Sequence, residues 1–258
     1  MTHLSASLVV PAAIAVIGWR LRWLTGGGAI ASLLVGAAVL GFGGWVWASA
    51  LVAFFVSGSA LTLVGRARKT QPEHRGGGRT AAQVLGTGGV CGVVAVLWGA
   101  GTWPGLWGLL PAAFFGAVAA AAADTWATEI GMLSPHPPRM ITTGRPVPAG
   151  TSGAVTWLGS AAGVAGAALI GGFGMYDAGG DWRIFAAVCV AGVVAMIADS
   201  LLGALVQASF RGPDGLVVED PVSGAVLVRG IPWVTNPVVN LLCTLAGALV
   251  GGALAGWL

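Results

Sequence analysis

The sequence predicts an all-α, polytopic integral membrane helical bundle, and three observations carry that expectation. Apolar residues make up 56% of the chain and charged residues 8%, which is too little polar surface to cover a water-soluble globule. Apolar stretches of roughly 20 residues, the length that crosses a bilayer core, follow one another from end to end with short interruptions. Glycine and alanine are abundant throughout, as expected where helices associate in lipid by close backbone approach. In a water-exposed helix so much glycine would be costly.

Taken in order, the first span covers residues 4–23, an apolar run closed by Arg20, Arg22 and Trp23. These arginines follow the run rather than precede it, and no small-residue cleavage site stands out, so it reads as a helix and not a secretion signal. The second span, 28–42, follows Gly26 and Gly27, and the third, 45–65, starts at Trp45 and ends before a basic loop. Only a Gly-rich turn at 41–44 separates these two, so the count is seven to eight. The remaining spans fall at 81–99, 107–130, 154–174, 184–208 and 236–258, giving one transmembrane domain over residues 1–258.

Positive charge sets the orientation, because basic residues concentrate in cytoplasmic loops. Arg20, Arg22, Arg66, Arg68, Lys69, Arg75, Arg79, Arg139, Arg145, Arg211 and Arg229 all fall in loops after the first, third, fifth and seventh spans, with Arg183 the exception. The expected location is therefore a cell membrane, the bacterial inner membrane, with those four loops in the cytoplasm and both termini outside. Trp19, Trp23, Trp45, Trp103, Trp107, Trp182, Trp233 and Trp257 sit near the expected ends, where interfacial aromatics belong. The basic residues are scattered and have no aromatics between them, so nucleic acid is not an expected partner. Cys91, Cys189 and Cys243 each stand alone in apolar runs and read as small buried hydrophobes.

A carboxylate inside a membrane helix costs about 2.5–3.5 kcal/mol on insertion scales, so it marks a functional candidate. The sequence has three: Asp124, Glu129 and Asp199. Asp124 and Asp199 fall at similar depth, about one to two turns inside the cytoplasmic ends of the fifth and seventh helices. Glu129 is expected nearer the surface. Gln83, Asn236 and Asn240 are expected at the same end, the two asparagines on one helical face. Gln207, at the end of the seventh helix, reads by itself as a helix–helix hydrogen-bond partner.

The loop at 131–152 is rich in Pro, Gly, Thr and Arg and poor in acids. Its close, Gly150, Thr151, Ser152 and Gly153, is expected to form the N-terminus of the sixth helix and to bind an anion with backbone N–H groups. Arg139, Thr142 and Thr143 add donors, and phosphate is the natural ligand. Carboxylates beside a phosphate cradle imply a divalent ion, most simply Mg²⁺ held by Asp124, Glu129 and Asp199. The loop at 209–234, with Asp214, Glu219 and Asp220 among apolar residues, is expected to form a small hairpin or lid.

The block Asp124-Thr125-Trp126-Ala127-Thr128-Glu129-Ile130-Gly131, the 138–153 loop, Ala198-Asp199-Ser200-Leu201-Leu202-Gly203-Ala204 with Gln207, and Arg79 to Gly86 with Gln83-Val84 resemble the family catalogued as domain of unknown function 92. That family includes transmembrane protein nineteen of animals and the plant phytyl-phosphate kinase. The resemblance covers nearly the whole chain, with Thr87 standing where the pattern has Asn. More remotely, Asp124, Ala127, Gly131 and the Thr- and Gly-rich loop are similar to dolichol and phytol kinases and CDP-diacylglycerol synthases, which use CTP and a divalent metal. The resemblance implies a kinase moving a phosphoryl group from a nucleoside triphosphate, CTP-like, to an isoprenyl monophosphate. Asp124, Glu129, Asp199 and Arg139 would act in catalysis, and Arg79, Gln83, Asn236 and Asn240 would orient a substrate. A lipid-phosphate cytidylyltransferase and a transporter or flippase of lipid phosphates are the alternatives. Isoprenyl-phosphate lipid, nucleotide and membrane lipids are the expected partners, and a homo-oligomer is left open.

Overall fold

The computed structural model describes residues 2–64, 78–101, 104–213, 215, 217–219 and 223–257. Arg66, Arg68, Lys69, Arg75, Trp103, Asp214 and Asp220, each singled out above, lie outside the described residues. Among the described residues there are eight α-helical segments, with six helical runs long and apolar enough to cross a membrane. The protein is thus a polytopic helical membrane bundle.

Helix α1 (Thr2–Arg20) is followed by a tight turn at Arg22, in the left-handed region at φ 59°. The chain then enters α2 (Gly26–Ala38), capped by Thr25 Oγ1 accepting from Gly28 N at 3.1 Å. A π-turn (Val39–Gly43) leads to α3 (Gly44–Leu63). These segments form one apolar run of 38 residues, which if straight would extend on the order of 57 Å, nearly twice a hydrocarbon core of about 30 Å. The run turns back on itself instead. Gly44, at φ 83°, breaks the helix where a side chain would be strained. Helix α2 lies alongside α4 (Ala81–Ala100) in the same direction, with Gly27 beside Ala81, Val35 beside Gly88 and Phe42 beside Gly99. Helix α3 returns along α5 (Leu110–Gly131): Trp47 stacks on Phe114 at 4.2 Å near its start, and Thr62 reaches Glu129 near its end. The turn expected at 41–44 is therefore where the chain reverses.

Helix α5 is the hub, packed by α3, α4, α6 (Trp157–Asp177), α7 (Trp182–Leu205) and α8 (Asn236–Ala255). One helix can touch five neighbours because Gly116 and the alanines from 117 to 123 keep its circumference small, and Ala117, Ala119, Ala122 and Ala123 are fully buried. On α8 a Cβ added at Gly247 would lie 2.7 Å from that of Ala120, so glycine is required for this approach.

At the end of the bundle bearing Arg22, Arg79, Arg139, Arg211 and Arg229, two small sheets occupy the long loops. Strand β1 (Arg139–Met140) pairs antiparallel with β2 (Ala154–Val155). Strands β3 (Ser209–Arg211), β4 (Val217–Val218) and β5 (Val226–Arg229) form a sheet in the order β4-β3-β5, the hairpin expected for that loop. Its inner side buries Ala208, Phe210 and Val218. Arg183 lies at the other end, where Trp47 Nε1 donates to Asp177 Oδ2 at 3.2 Å.

Candidate functional site at the basic end of the bundle

Because α5 and α7 pack through Ala119 and Gly192, their later turns stay close enough for two carboxyls to meet. Asp124 and Asp199 lie near enough for one carboxyl to hydrogen-bond to the other, and the Cys243 thiol of α8 lies within similar reach of Asp199. Asp199 Oδ2 is buried with no hydrogen-bond partner among the described residues. Two carboxylates this close repel unless a proton or a cation stands between them.

Glu129 faces elsewhere. Five residues separate it from Asp124, a rotation of about 140° on the helix, and it accepts from Thr62 Oγ1 of α3 at 2.6 Å while only 7% exposed. Among the described residues no group of three or more His, Cys, Asp or Glu side chains is placed to hold a metal, so the three acids expected to share one ion are not brought together: Asp124 and Asp199 stand as a pair, with Glu129 apart. Arg79 belongs to Glu129's side. Its guanidinium lies over Phe54 at 5.5 Å and Phe55 at 5.7 Å. Burial pulls the Arg79 pKa below its usual value and the Glu129 charge opposes that pull, yet a guanidinium of this kind remains charged.

These groups line one cavity of about 590 Å³ at the basic end. Asp124, Asp199, Glu129, Arg79, Gln83, Asn236 and Asn240 all reach it, as do Gly150, Thr151, Ser152 and Gly153. Gln83 has a structural task as well, because it completes a capping box in which Thr80 N donates to its Oε1 at 2.9 Å.

Two expectations are corrected here. The Gly150, Thr151, Ser152 and Gly153 segment is not the start of the sixth helix: β2 intervenes, and α6 begins at Trp157 under Thr156, whose Oγ1 accepts from Gly159 N at 3.0 Å. The segment is a turn with Gly150 at φ 81° and Gly153 at φ 82°. Arg229 pins it to α7 by donating to the Ser152 and Gly203 carbonyls. Second, Arg139, Thr142 and Thr143 are exposed and do not line the cavity. Arg139 instead donates to Gly144 O at 2.8 Å and Thr143 Oγ1 accepts from Arg145 N at 3.4 Å, so both serve the tip of the β1–β2 hairpin.

The sequence reading missed Arg22, Ser59, Thr62, Thr87 and Glu219 as cavity residues. Ser59 and Thr62 carried a usable signal, since they bring hydroxyls into an otherwise apolar span. Glu219 is delivered by the β3–β5 sheet, close enough for its charge to act on Asp124.

Fold and site together define a polytopic membrane protein with a polar, carboxylate-bearing chamber at its basic end. The chain belongs to the DUF92 family of integral membrane proteins, whose model matches residues 9–248. It is 32% identical to an uncharacterized membrane protein of Methanocaldococcus jannaschii, over 97% of this chain and 94% of that one. An uncharacterized membrane protein of Synechocystis is 31% identical over 96% of this chain and 87% of its own. Protein PGR of Arabidopsis thaliana is 28% identical over 93% and 91% respectively. No solved structure matches the chain.

Proposed function

We propose that this protein is a membrane-embedded kinase that transfers a phosphoryl group from a nucleoside triphosphate, CTP-like, to an isoprenyl monophosphate such as phytyl or geranylgeranyl phosphate. The observation that carries the reading is the Asp124–Asp199 pair, with Asp199 Oδ2 unpartnered, in a cavity that also holds Arg79. A buried orphan oxygen beside a second carboxyl suits a divalent cation, and Mg²⁺ characteristically takes one or two carboxylates and completes its shell with phosphate oxygens. Asp124 and Asp199 would hold Mg²⁺, which would supply charge neutralisation on the phosphates.

The chain's own groups do the rest. An isoprenyl monophosphate is already an anionic nucleophile, so its oxygen attacks the γ-phosphorus, the bond to the nucleoside diphosphate breaks, and no side chain must remove a proton. Such transfers depend on positioning and electrostatics. Arg79 and Arg22 line the chamber and take the phosphate-holding task first assigned to Arg139, Arg79 offering the planar fork suited to phosphate. The turn from Gly150 to Gly153 closes a further wall. The polar residues gather at one end of the bundle, which suits an enzyme fed by cytosolic nucleotide and membrane lipid better than a transporter, whose site lies near the midplane. In this reading the basic end faces the cytoplasm.

The test is headgroup dependence. Nucleotide consumption by the purified protein with Mg²⁺ should be stimulated by isoprenyl monophosphates and not by the corresponding alcohols. Equal stimulation by both would sink the assignment of a phosphate acceptor.

A further inference from the structure

Gln207 lies outside the machinery described so far. It is 2% exposed, lines the same cavity, and its Nε2 has no hydrogen-bond partner. A buried donor left unmade costs about 1–3 kcal/mol, so a helix–helix contact, as read from sequence, does not account for it. Its backbone is held firmly. Gln207 N donates to Leu202 O at 3.1 Å, Ala208 N to Val234 O at 2.8 Å and Ile231 N to Val206 O at 2.9 Å. Gly230, at φ 80°, packs directly on the Gln207 carbonyl. The amide is therefore presented to the chamber by a rigid junction of α7, the β3–β5 sheet and α8.

The cavity lining indicates what it meets. Helix α8 brings the amides of Asn236 and Asn240, α7 brings Asp199 and the β3–β5 sheet brings Glu219, whereas Arg22 and Arg79 come from the segments leading into α2 and α4. Phosphate oxygens favour cationic donors. Neutral amides instead match neutral acceptors and hydroxyls, such as the carbonyl and ring nitrogens of a base or the hydroxyls of a ribose.

We propose that Gln207, with Asn236 and Asn240 lining the same cavity, binds the nucleoside portion of the nucleotide through a hydrogen bond donated by Gln207 Nε2. This rests on the reading of the protein as a nucleotide-dependent kinase.

The test uses the full chain in detergent with Gln207→Met and Gln207→Leu, which keep bulk and remove the donor. Affinity is measured by equilibrium binding of non-hydrolysable CTP and ATP analogues, and separately of geranylgeranyl phosphate. The expected result is about tenfold weaker binding of the preferred nucleotide, the loss of one hydrogen bond, with unchanged lipid-phosphate affinity and unchanged melting temperature without ligand. Wild-type nucleotide affinity in both variants, or a lowered melting temperature with nucleotide affinity intact, overturns the inference and leaves the kinase reading standing. Failure of the wild-type protein to bind any nucleotide overturns the kinase reading, and this inference with it.

Discussion

Thr62→Val is a sharp probe of how the chamber is assembled. The single hydroxyl proton of Thr62 is within reach of Gly58 O at 3.0 Å and of Glu129 Oε1 at 2.6 Å. The shorter bond, to a carboxylate, is the stronger claim on that proton. Valine keeps the branched shape and removes the donor. Because Glu129 is only 7% exposed, water does not readily replace the lost bond, and a hydrogen bond to a charged group contributes about 1.5–3 kcal/mol. At roughly 2–4 °C per kcal/mol for a chain of this size, the apparent melting temperature should fall by on the order of 5 °C. Thr62→Ser keeps the donor and should lose much less. Since Glu129 is turned away from the Asp124–Asp199 pair, added Mg²⁺ should shift the melting temperature of Thr62→Val as much as that of wild type. Thermal unfolding in detergent reads both quantities. A valine variant as stable as wild type would refute the Thr62–Glu129 link, and loss of the Mg²⁺ shift would return Glu129 to the metal set.

Asp124→Asn and Asp199→Asn should each reduce turnover at least a hundredfold, the scale of losing one electrostatic stabiliser, while the protein still inserts and elutes as a folded species; near-normal turnover in both would return these acids to structural hydrogen bonding. Arg139→Lys should leave both substrate saturation curves unchanged because Arg139 serves the hairpin tip, whereas Arg79→Lys should raise the KM of the isoprenyl phosphate; the opposite pattern would restore the role first read from sequence. Cysteine labels placed at positions 145 and 225 should react only from the cytoplasm and a label at position 179 only from outside, so accessibility of the first two from opposite sides would break the single-chamber picture.

Much of this architecture was legible because membrane insertion imposes simple rules. Span length, tryptophans at the ends and the alternation of arginines placed the helices, and the glycines at 41–44 marked the reversal that Gly44 makes at φ 83°. Depth along a helix was legible too, which is why Asp124 and Asp199 were expected level with each other and are found lining one cavity. Facing was harder. Asp124 and Glu129 share one short motif, yet the helical rotation between them sends one to α7 and the other to Thr62 of α3. The start of α6 was misplaced because Thr151, Ser152 and Thr156 are all capping residue types, and only the pairing of β1 with β2 selects Thr156. Charge patterning assigned Arg139 and Arg79 to the same side of the membrane without telling which one lines the chamber. Glu219 reaches the site through strand pairing among β3, β4 and β5, contacts that no local sequence pattern specifies.

Incubating the purified protein with Mg²⁺, geranylgeranyl or phytyl phosphate, and CTP or ATP labelled either at the γ- or at the α-phosphorus decides whether a phosphoryl group moves to a lipid phosphate. The expected result is γ-label in an isoprenyl diphosphate, no α-label in the lipid, and no transfer by Asp199→Asn. Appearance of the α-label in the lipid with release of pyrophosphate would make the protein a cytidylyltransferase, and absence of any label in lipid with every nucleotide and acceptor would contradict the kinase altogether.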